Sequence, residues 1–88
     1  MRIDLALKYL CLAKSRSAVK TLCDKRALWL NDRPAKPSST LHIKDSVRIE
    51  MPTRTLVISL VDIPQKQLSK AAAPDYYEIT ESRAAERD

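Results

Sequence analysis

With 88 residues, the chain is long enough for one small domain and too short for two. Hydrophobic residues make up 44% of it, a normal value for a globular protein, which excludes a chain that is disordered as a whole. The formal net charge is +5. No apolar run reaches the ~18 residues of a membrane-spanning helix, and the first residues do not resemble a signal peptide. We therefore expect a cytoplasmic protein with no membrane contact.

The positive charge is concentrated at the start of the chain. Residues 1–36 contain nine Lys or Arg and three Asp, which gives +6. Residues 37–70 contain five bases and three acids, for +2, and residues 71–88 contain two Arg and five acids, for −3. A cationic segment joined to an acidic tail is typical of a protein that binds a polyanion. Charge alone leaves open whether this is a binding face or simply a basic surface.

The residues that most often carry chemistry are few. Cys11 and Cys23 lie in apolar-patterned stretches, where a reduced cysteine behaves as a small hydrophobe. Together with His42, the single histidine, they show no zinc-ligand spacing. The sequence has neither a Gly-rich cofactor loop nor a nucleophile–base pair. We expect no metal, no cofactor and no enzymatic activity.

Apolar spacing predicts two short helices near the N-terminus. Ile3, Leu7 and Leu10 recur at helical spacing and mark the buried face of the first helix. Ser15 can begin the second helix by accepting a hydrogen bond from one of its first N–H groups. Val19 lies on the apolar face of that second helix.

Alternating apolar and polar residues after the helices predict a small sheet. A short helix starting near Pro74 is expected to close the domain, and little in the segment after it can be buried, so that segment should be frayed. The fold class is therefore α+β, with two short N-terminal helices packed on a mainly antiparallel sheet. Strands are predicted at 27–30, 34–36, 46–51 and 56–60, the closing helix at 71–79 and the frayed tail at 80–88.

Four ordered segments carry a resemblance to a known family. They are Arg2-Ile3-Asp4, Lys14-Ser15-Arg16-Ser17, the stretch 28–38 and Lys44-Asp45-Ser46-Val47. In this order and spacing they resemble the RNA-binding domain first named from ribosomal small-subunit protein four. That family has an R-[IL]-D opening, a K-[ST]-R-S helix start, a V-x-V-N-G strand and turn, and a G-D-x-[IV] turn.

The resemblance implies both a domain layout and a function. It implies the alpha-L motif and an RNA-binding domain over residues 1–62, followed by a C-terminal extension over 63–88. A free-standing domain of this kind is similar to the ribosome-associated heat-shock protein fifteen group and its relatives in ribosome quality control. The function implied is non-catalytic binding of ribosomal RNA or tRNA on large ribosomal subunits that carry a stranded peptidyl-tRNA. We expect a monomer in isolation.

The family's binding surface is expected at the start of the second helix and at the turn after the first strand. Guanidinium and ammonium groups bind phosphates, and the positive end of a helix adds to the attraction. Ser15 can either cap the helix or donate to a phosphate, and we favour the cap. The predicted RNA-binding residues are Arg2, Lys14, Ser15, Arg16, Ser17, Lys20, Asn31, Arg33 and Lys36.

Trp29 has two possible roles. Alternation places its side chain on the face opposite Leu28 and Leu30, where it can stack on an RNA base. It can instead pack against Tyr76 or Tyr77 of the closing helix, and we favour packing because aromatic side chains are most often used to bury area.

The chain contains no glycine, although the family usually has one at three turns. Arg26 or a neighbour, Asp32 and Lys44 stand at those positions. Asp adopts a positive φ at modest cost and Lys less readily. We expect the turns to be retained, with changes in turn type.

Two other classes of function remain open on the residues alone. The acidic tail beside Tyr76 and Tyr77 could contact a protein partner. The helix that carries Arg16 and Lys20 could enter a DNA major groove, although its basic stretch is short for reading bases.

Overall fold

The computed structural model describes residues 1–84 and shows two helices packed on one face of a five-stranded antiparallel sheet. The strand order is β2-β1-β3-β4-β5, and this arrangement confirms the predicted α+β class. No helix within residues 1–84 has the length and apolar character needed to cross a membrane. The elements are α1 (Ile3–Tyr9), α2 (Arg16–Asp24), β1 (Leu28–Leu30), β2 (Arg33–Pro34), β3 (Ser46–Glu50), β4 (Arg54–Leu60), a 3₁₀ turn (Ala73–Tyr76) and β5 (Tyr77–Ala84).

One hydrophobic core joins the helices to the inner face of the sheet. The predicted apolar stripe of α1 is fully buried, and α2 contributes Val19. Alternation along β3 and β4 directs every second side chain into the same core. Each large aliphatic side chain buried in this way contributes about 1.5 to 3 kcal/mol. The sheet face of the core is formed by Leu28, Val47, Ile49, Leu56, Ile58 and Leu60.

Side-chain and backbone caps define both helices. Ser15 is the N-cap of α2, and its Oγ accepts a hydrogen bond from the N–H of Ala18 at 3.1 Å, which confirms the predicted cap. Each helix ends with a residue in the left-handed region, Cys11 (φ 60°) after α1 and Arg26 (φ 54°) after α2. After α2, the N–H of Arg26 donates to the carbonyl of Cys23, and the next N–H, of Ala27, donates to that of Leu22. This is the Schellman pattern, which usually employs glycine.

Two further turns also use positive φ without glycine. Asn31 (φ 49°) and Asp32 (φ 66°) connect β1 to β2, and Lys44 (φ 73°) lies in the turn before β3. Two consecutive residues with positive φ are what a type I′ hairpin requires. The turn at Asn31-Asp32 thus has the backbone that Asn-Gly would give, and the change in turn type that we expected is absent there.

The C-terminal segment differs from the prediction. The helix expected over 71–79 is limited to the 3₁₀ turn, and the expected frayed tail is ordered as far as residue 84. β5 pairs antiparallel with β4, from Tyr77 opposite Leu60 to Ala84 opposite Arg54. The reason is tertiary: β4 presents a row of unpaired backbone groups, and a segment with β-formers such as Ile79 satisfies them. The predicted tail residues 85–88 lie outside the described residues, and the domain boundary at 62 stays a prediction.

The left-handed residues generate a test of stability. Replacing Arg26, at φ 54°, by glycine should stabilise the fold by about 0.5 to 1 kcal/mol, because glycine adopts this conformation without a Cβ clash. Replacing the adjacent Lys25, at φ −86°, by glycine should destabilise the fold by a similar amount. Chemical denaturation of both variants measures the two changes. Equal destabilisation by both substitutions would contradict the role given to Arg26.

Candidate RNA-binding surface

Four of the predicted residues surround one shallow groove at the junction of α1 and α2. This Asp4 groove has a volume of about 290 Å³. Arg2 is the N-cap of α1, and Arg16 begins α2 directly after its Ser15 cap. The helix–helix packing therefore brings together side chains that are far apart in sequence. The groove is lined by Arg2, Asp4, Arg16, Ser17, Lys20 and Pro37.

A buried carboxylate organises the groove. Asp4 is 3% exposed, and its two oxygens accept hydrogen bonds from Nε and Nη2 of Arg2, both at 3.1 Å. The same carboxylate accepts a bond from Nε of Arg16 at 3.2 Å and one from the N–H of Leu5 at 2.8 Å. One acid thus fixes two arginines from different helices. The resulting cluster still has a net positive charge.

These bonds also determine the ionisation of Asp4. Burial alone would raise the pKa of its carboxyl group. Hydrogen bonds from Arg2, from the N–H of Leu5 and from Arg16 outweigh burial and hold that pKa below its ordinary value of 3.8. Asp4 is therefore an anion at neutral pH, as two guanidinium partners require.

The two arginines present their outer edges to solvent. The side chains of Arg2 and Arg16 are 52% and 50% exposed, although both are tied to Asp4. Arg16 uses only Nε in its bond to Asp4, so that bond leaves both terminal amino groups available. A guanidinium group held along one edge is preorganised to bind a phosphate with the other.

Lys20 adds a more mobile charge to the same groove. It is exposed, and its Nζ lies 3.8 Å from the carboxylate of Asp24, one turn further along α2. Such an exposed pair contributes little to stability. Lys20 is therefore able to exchange Asp24 for a phosphate at small cost.

A second groove, of about 490 Å³, contains Arg33 and Asn31 together with Ser39. The segment from Pro37 to Ser39 separates this Arg33 groove from the Asp4 groove, since Pro37 lines one and Ser39 lines the other. The same segment is fixed to the start of α1, because the carbonyl of Ser39 accepts the N–H of Ile3 at 2.7 Å. The two grooves are thus neighbours on one rigid framework.

Asn31 holds the structure of the turn in addition to any role in binding. Its Nδ2 donates to Asp45 at 3.1 Å, and its Oδ1 accepts the N–H of Ser46 at 2.9 Å. Burial alone would raise the pKa of Asp45, but the bonds from Asn31 and from the N–H of His42 outweigh it and lower that pKa. Both polar groups of the Asn31 side chain therefore already have protein partners, and its contact with RNA stays a prediction.

Three predicted residues lie outside the Asp4 and Arg33 grooves, and one of them is Ser15, which caps α2. Lys36 is exposed and lines neither of them. Lys14, expected to cluster with Arg16, instead lines a third groove with Lys8 and Lys70. The position of this third groove depends on where the C-terminal extension returns to α1.

Trp29 stacks on a neighbouring arginine of the sheet. The guanidinium carbon of Arg48, opposite Trp29 on β3, lies 4.6 Å from the centre of the Trp29 rings, and the indole N–H donates to the carbonyl of Arg26 at 3.1 Å. The favoured packing against Tyr76 or Tyr77 is wrong, because β3 and β4 separate β1 from the β5 end of the sheet. Arg48 occupies one face of the indole, and base stacking by Trp29 stays a prediction.

Asp4, Lys8 and Lys70 are not among the RNA-binding residues predicted from the sequence. For Asp4 a signal existed, because it lies three residues before Leu7 and hence close to the buried face of α1. An acid at such a position needs cationic partners. No comparable signal exists for Lys70, whose neighbours are set by tertiary structure.

Comparison with known proteins identifies the family and the fold of the chain. Residues 1–47 match the family model of the S4 domain, and the chain belongs to this family. It is 30% identical over 86 residues to the RQC P-site tRNA stabilizing factor of Streptococcus pneumoniae, with 98% of each chain covered. In fold it is similar to heat shock protein 15 of Vibrio cholerae, solved as a trimer, with a TM-score of 0.84 and 21% identity over 91% of this chain and 81% of that one.

The Asp4 cluster predicts a specific dependence of stability on pH. Because the folded-state pKa is lowered, the stabilisation is present above the ordinary pKa of 3.8 and is lost as pH falls through the folded value. Asp4→Asn should lower the free energy of unfolding by about 2 kcal/mol at neutral pH. This difference between the two proteins should shrink below about pH 4. Denaturant unfolding of both proteins at a series of pH values measures it. Asp45 titrates in both proteins, so its contribution cancels in the difference between them. A difference that does not change with pH would contradict the assignment to Asp4.

Proposed function

We propose that this protein binds structured RNA through the Asp4 and Arg33 grooves and through three predicted residues outside them, Lys14, Ser15 and Lys36. The observation that carries the proposal is the pair Arg2 and Arg16, fixed by one buried carboxylate with their outer edges exposed. Structured RNA presents phosphates at regular spacing along an A-form helix, and proteins recognise it mostly through shape and backbone. A rigid cationic surface suits this mode of binding. The contacting residues proposed are Arg2, Lys14, Ser15, Arg16, Ser17, Lys20, Asn31, Arg33 and Lys36.

We further propose that the RNA is ribosomal RNA or tRNA on the large ribosomal subunit, and that the protein acts in the rescue of stalled peptidyl-tRNA. Two observations support this step. The relative from Streptococcus pneumoniae is named as a P-site tRNA stabilizing factor, and its similarity to this chain extends over 98% of both proteins. The proposal includes a cytoplasmic, non-catalytic role as a monomer.

The Asp4 groove leads to a test with a graded series of variants. Arg16→Ala should weaken binding to purified large ribosomal subunits and reduce the slope of log K against log salt by about one. Arg16→Lys should recover only part of the binding, because an ammonium group lacks the Nε that fixes the side chain on Asp4. Co-sedimentation over a range of salt concentrations gives both quantities.

The matched control for this series is Lys25→Ala. Lys25 is exposed at the end of α2 and lines none of the three grooves. The Lys25→Ala variant should bind large ribosomal subunits as tightly as the parent protein does. If Arg16→Ala and Lys25→Ala bind equally well, the Asp4 groove is not the binding surface.

Competition by duplex DNA at matched salt tests the DNA-binding alternative. Displacement by DNA that is as effective as displacement by ribosomal RNA would favour that alternative.

The rescue assignment has its own test. Large subunits that carry a peptidyl-tRNA in the P site should bind this protein more tightly than vacant subunits, because a factor that stabilises this tRNA gains contacts from it. Equilibrium binding to the two preparations measures the ratio of affinities. Equal affinities would contradict the rescue role and leave RNA binding intact.

A further inference from the structure

The third groove contains lysines from two distant parts of the chain. This Lys70 groove has a volume of about 400 Å³. Lys8 lies on α1 and Lys14 on the loop that precedes α2, whereas Lys70 belongs to the segment between β4 and β5. The match to the S4 family model ends at residue 47, so Lys70 lies outside it. Besides the three lysines, the groove is lined by Cys11, Leu12, Ala13 and Gln67.

The segment that carries Lys70 is fastened to the end of α1. Nε2 of Gln67 donates to the carbonyls of Lys8 at 3.1 Å and Tyr9 at 3.3 Å. The N–H of Leu68 donates to the same Tyr9 carbonyl at 3.1 Å, and Sγ of Cys11 donates to the Leu68 carbonyl at 3.2 Å. The side chain of Gln67 and the backbone of Leu68, three and two residues before Lys70, therefore anchor its segment next to Lys8.

The same bonds make the site compatible with an anion. The C-terminal end of a helix carries partial negative charge on its unpaired carbonyls, which disfavours an anion. Here the carbonyls of Lys8 and Tyr9 are occupied by donors from Gln67 and Leu68. The electrostatics of the groove are then set by its lysines.

Those lysines are not neutralised by nearby acids. Among the described residues that line the groove there is no carboxylate. Within residues 1–84, moreover, none of Lys8, Lys14 and Lys70 forms an ion pair with an acid within 4.0 Å. In the Asp4 groove, by contrast, both arginines and Lys20 have acidic partners. The Lys70 groove thus offers uncompensated charge.

Residues that are close together in the chain link the Lys70 groove to the Asp4 groove. Asp4 and Lys8 are four residues apart on the helix and therefore lie on one face, about 6 Å apart along the axis. Lys14 lines the Lys70 groove and Arg16 the Asp4 groove, and the two residues are separated in sequence only by the Ser15 cap. A polyanion bound in one groove can follow this line of charges into the other.

We propose that Lys8, Lys14 and Lys70 form a further binding subsite for RNA backbone phosphates, so that the C-terminal extension takes part in binding. The inference rests on the proposed RNA-binding function and deepens it. It assigns new roles to Lys8 and Lys70 as phosphate contacts. Gln67 becomes a positioning residue, which acts by holding Lys70 in place.

The test compares a variant that lacks two lysines of the groove with a control that lacks one lysine outside it. Lys8→Ala with Lys70→Ala, in one protein, should reduce the slope of log K against log salt by about 0.9 for each lysine. The probe is the purified large ribosomal subunit. Lys66→Ala is the matched control, because Lys66 is exposed in the same segment but does not line the groove. It should leave the slope within experimental error of the parent, and melting temperatures confirm that the variants are folded.

The outcomes separate this inference from the proposed function. If Arg16→Ala weakens binding while the double lysine variant matches Lys66→Ala, the subsite is wrong and the RNA-binding function stands. If neither Arg16→Ala nor the double variant has an effect, both proposals fail. Gln67→Ala should reproduce part of the loss with both lysines present. A wild-type slope for Gln67→Ala would overturn its positioning role.

Discussion

The carboxylate of Asp4 is the interaction on which the candidate surface depends. It is buried between α1 and α2, and it binds the two arginines that the sequence places fourteen residues apart, Arg2 and Arg16. An isolated buried carboxylate is costly, whereas one that accepts four hydrogen bonds is stabilised and fixes its partners. The acid therefore couples the packing of the helices to the geometry of the exposed guanidinium groups. A change in how α1 meets α2 would be transmitted directly to the groove.

Local sequence was sufficient for the features that depend on neighbours in the chain. The N-cap at Ser15 and the apolar stripe of α1 follow from local spacing and hydrogen bonding, and the structure confirms both. The fold class and the family follow from the order of the segments along the first sixty residues or so. For the site, the sequence identified Arg2, Arg16 and Lys20 by charge and resemblance, and the fold brings these three to one groove.

Features that depend on tertiary structure could not be predicted in this way. β5 forms because β4 has an unpaired side. The β-formers within residues 77–84 do not by themselves specify that pairing. The placement of Lys14 in a different groove from Arg16 has a similar origin, since the groove of Lys14 exists only where the C-terminal extension returns to α1. The partner of Trp29 was also set by strand order, which placed Arg48 beside it and the two tyrosines beyond two further strands.

The pairing of β4 with β5 also has a consequence for synthesis of the chain. β4 ends at residue 60, and its pairing partner begins at residue 77. While the polypeptide is still emerging, a complete helix pair and four strands can be assembled with the outer side of β4 open to any other extended segment. A chain at this stage has a sheet edge that can pair with a strand of another molecule. The edge is covered once Tyr77–Ala84 pairs with β4.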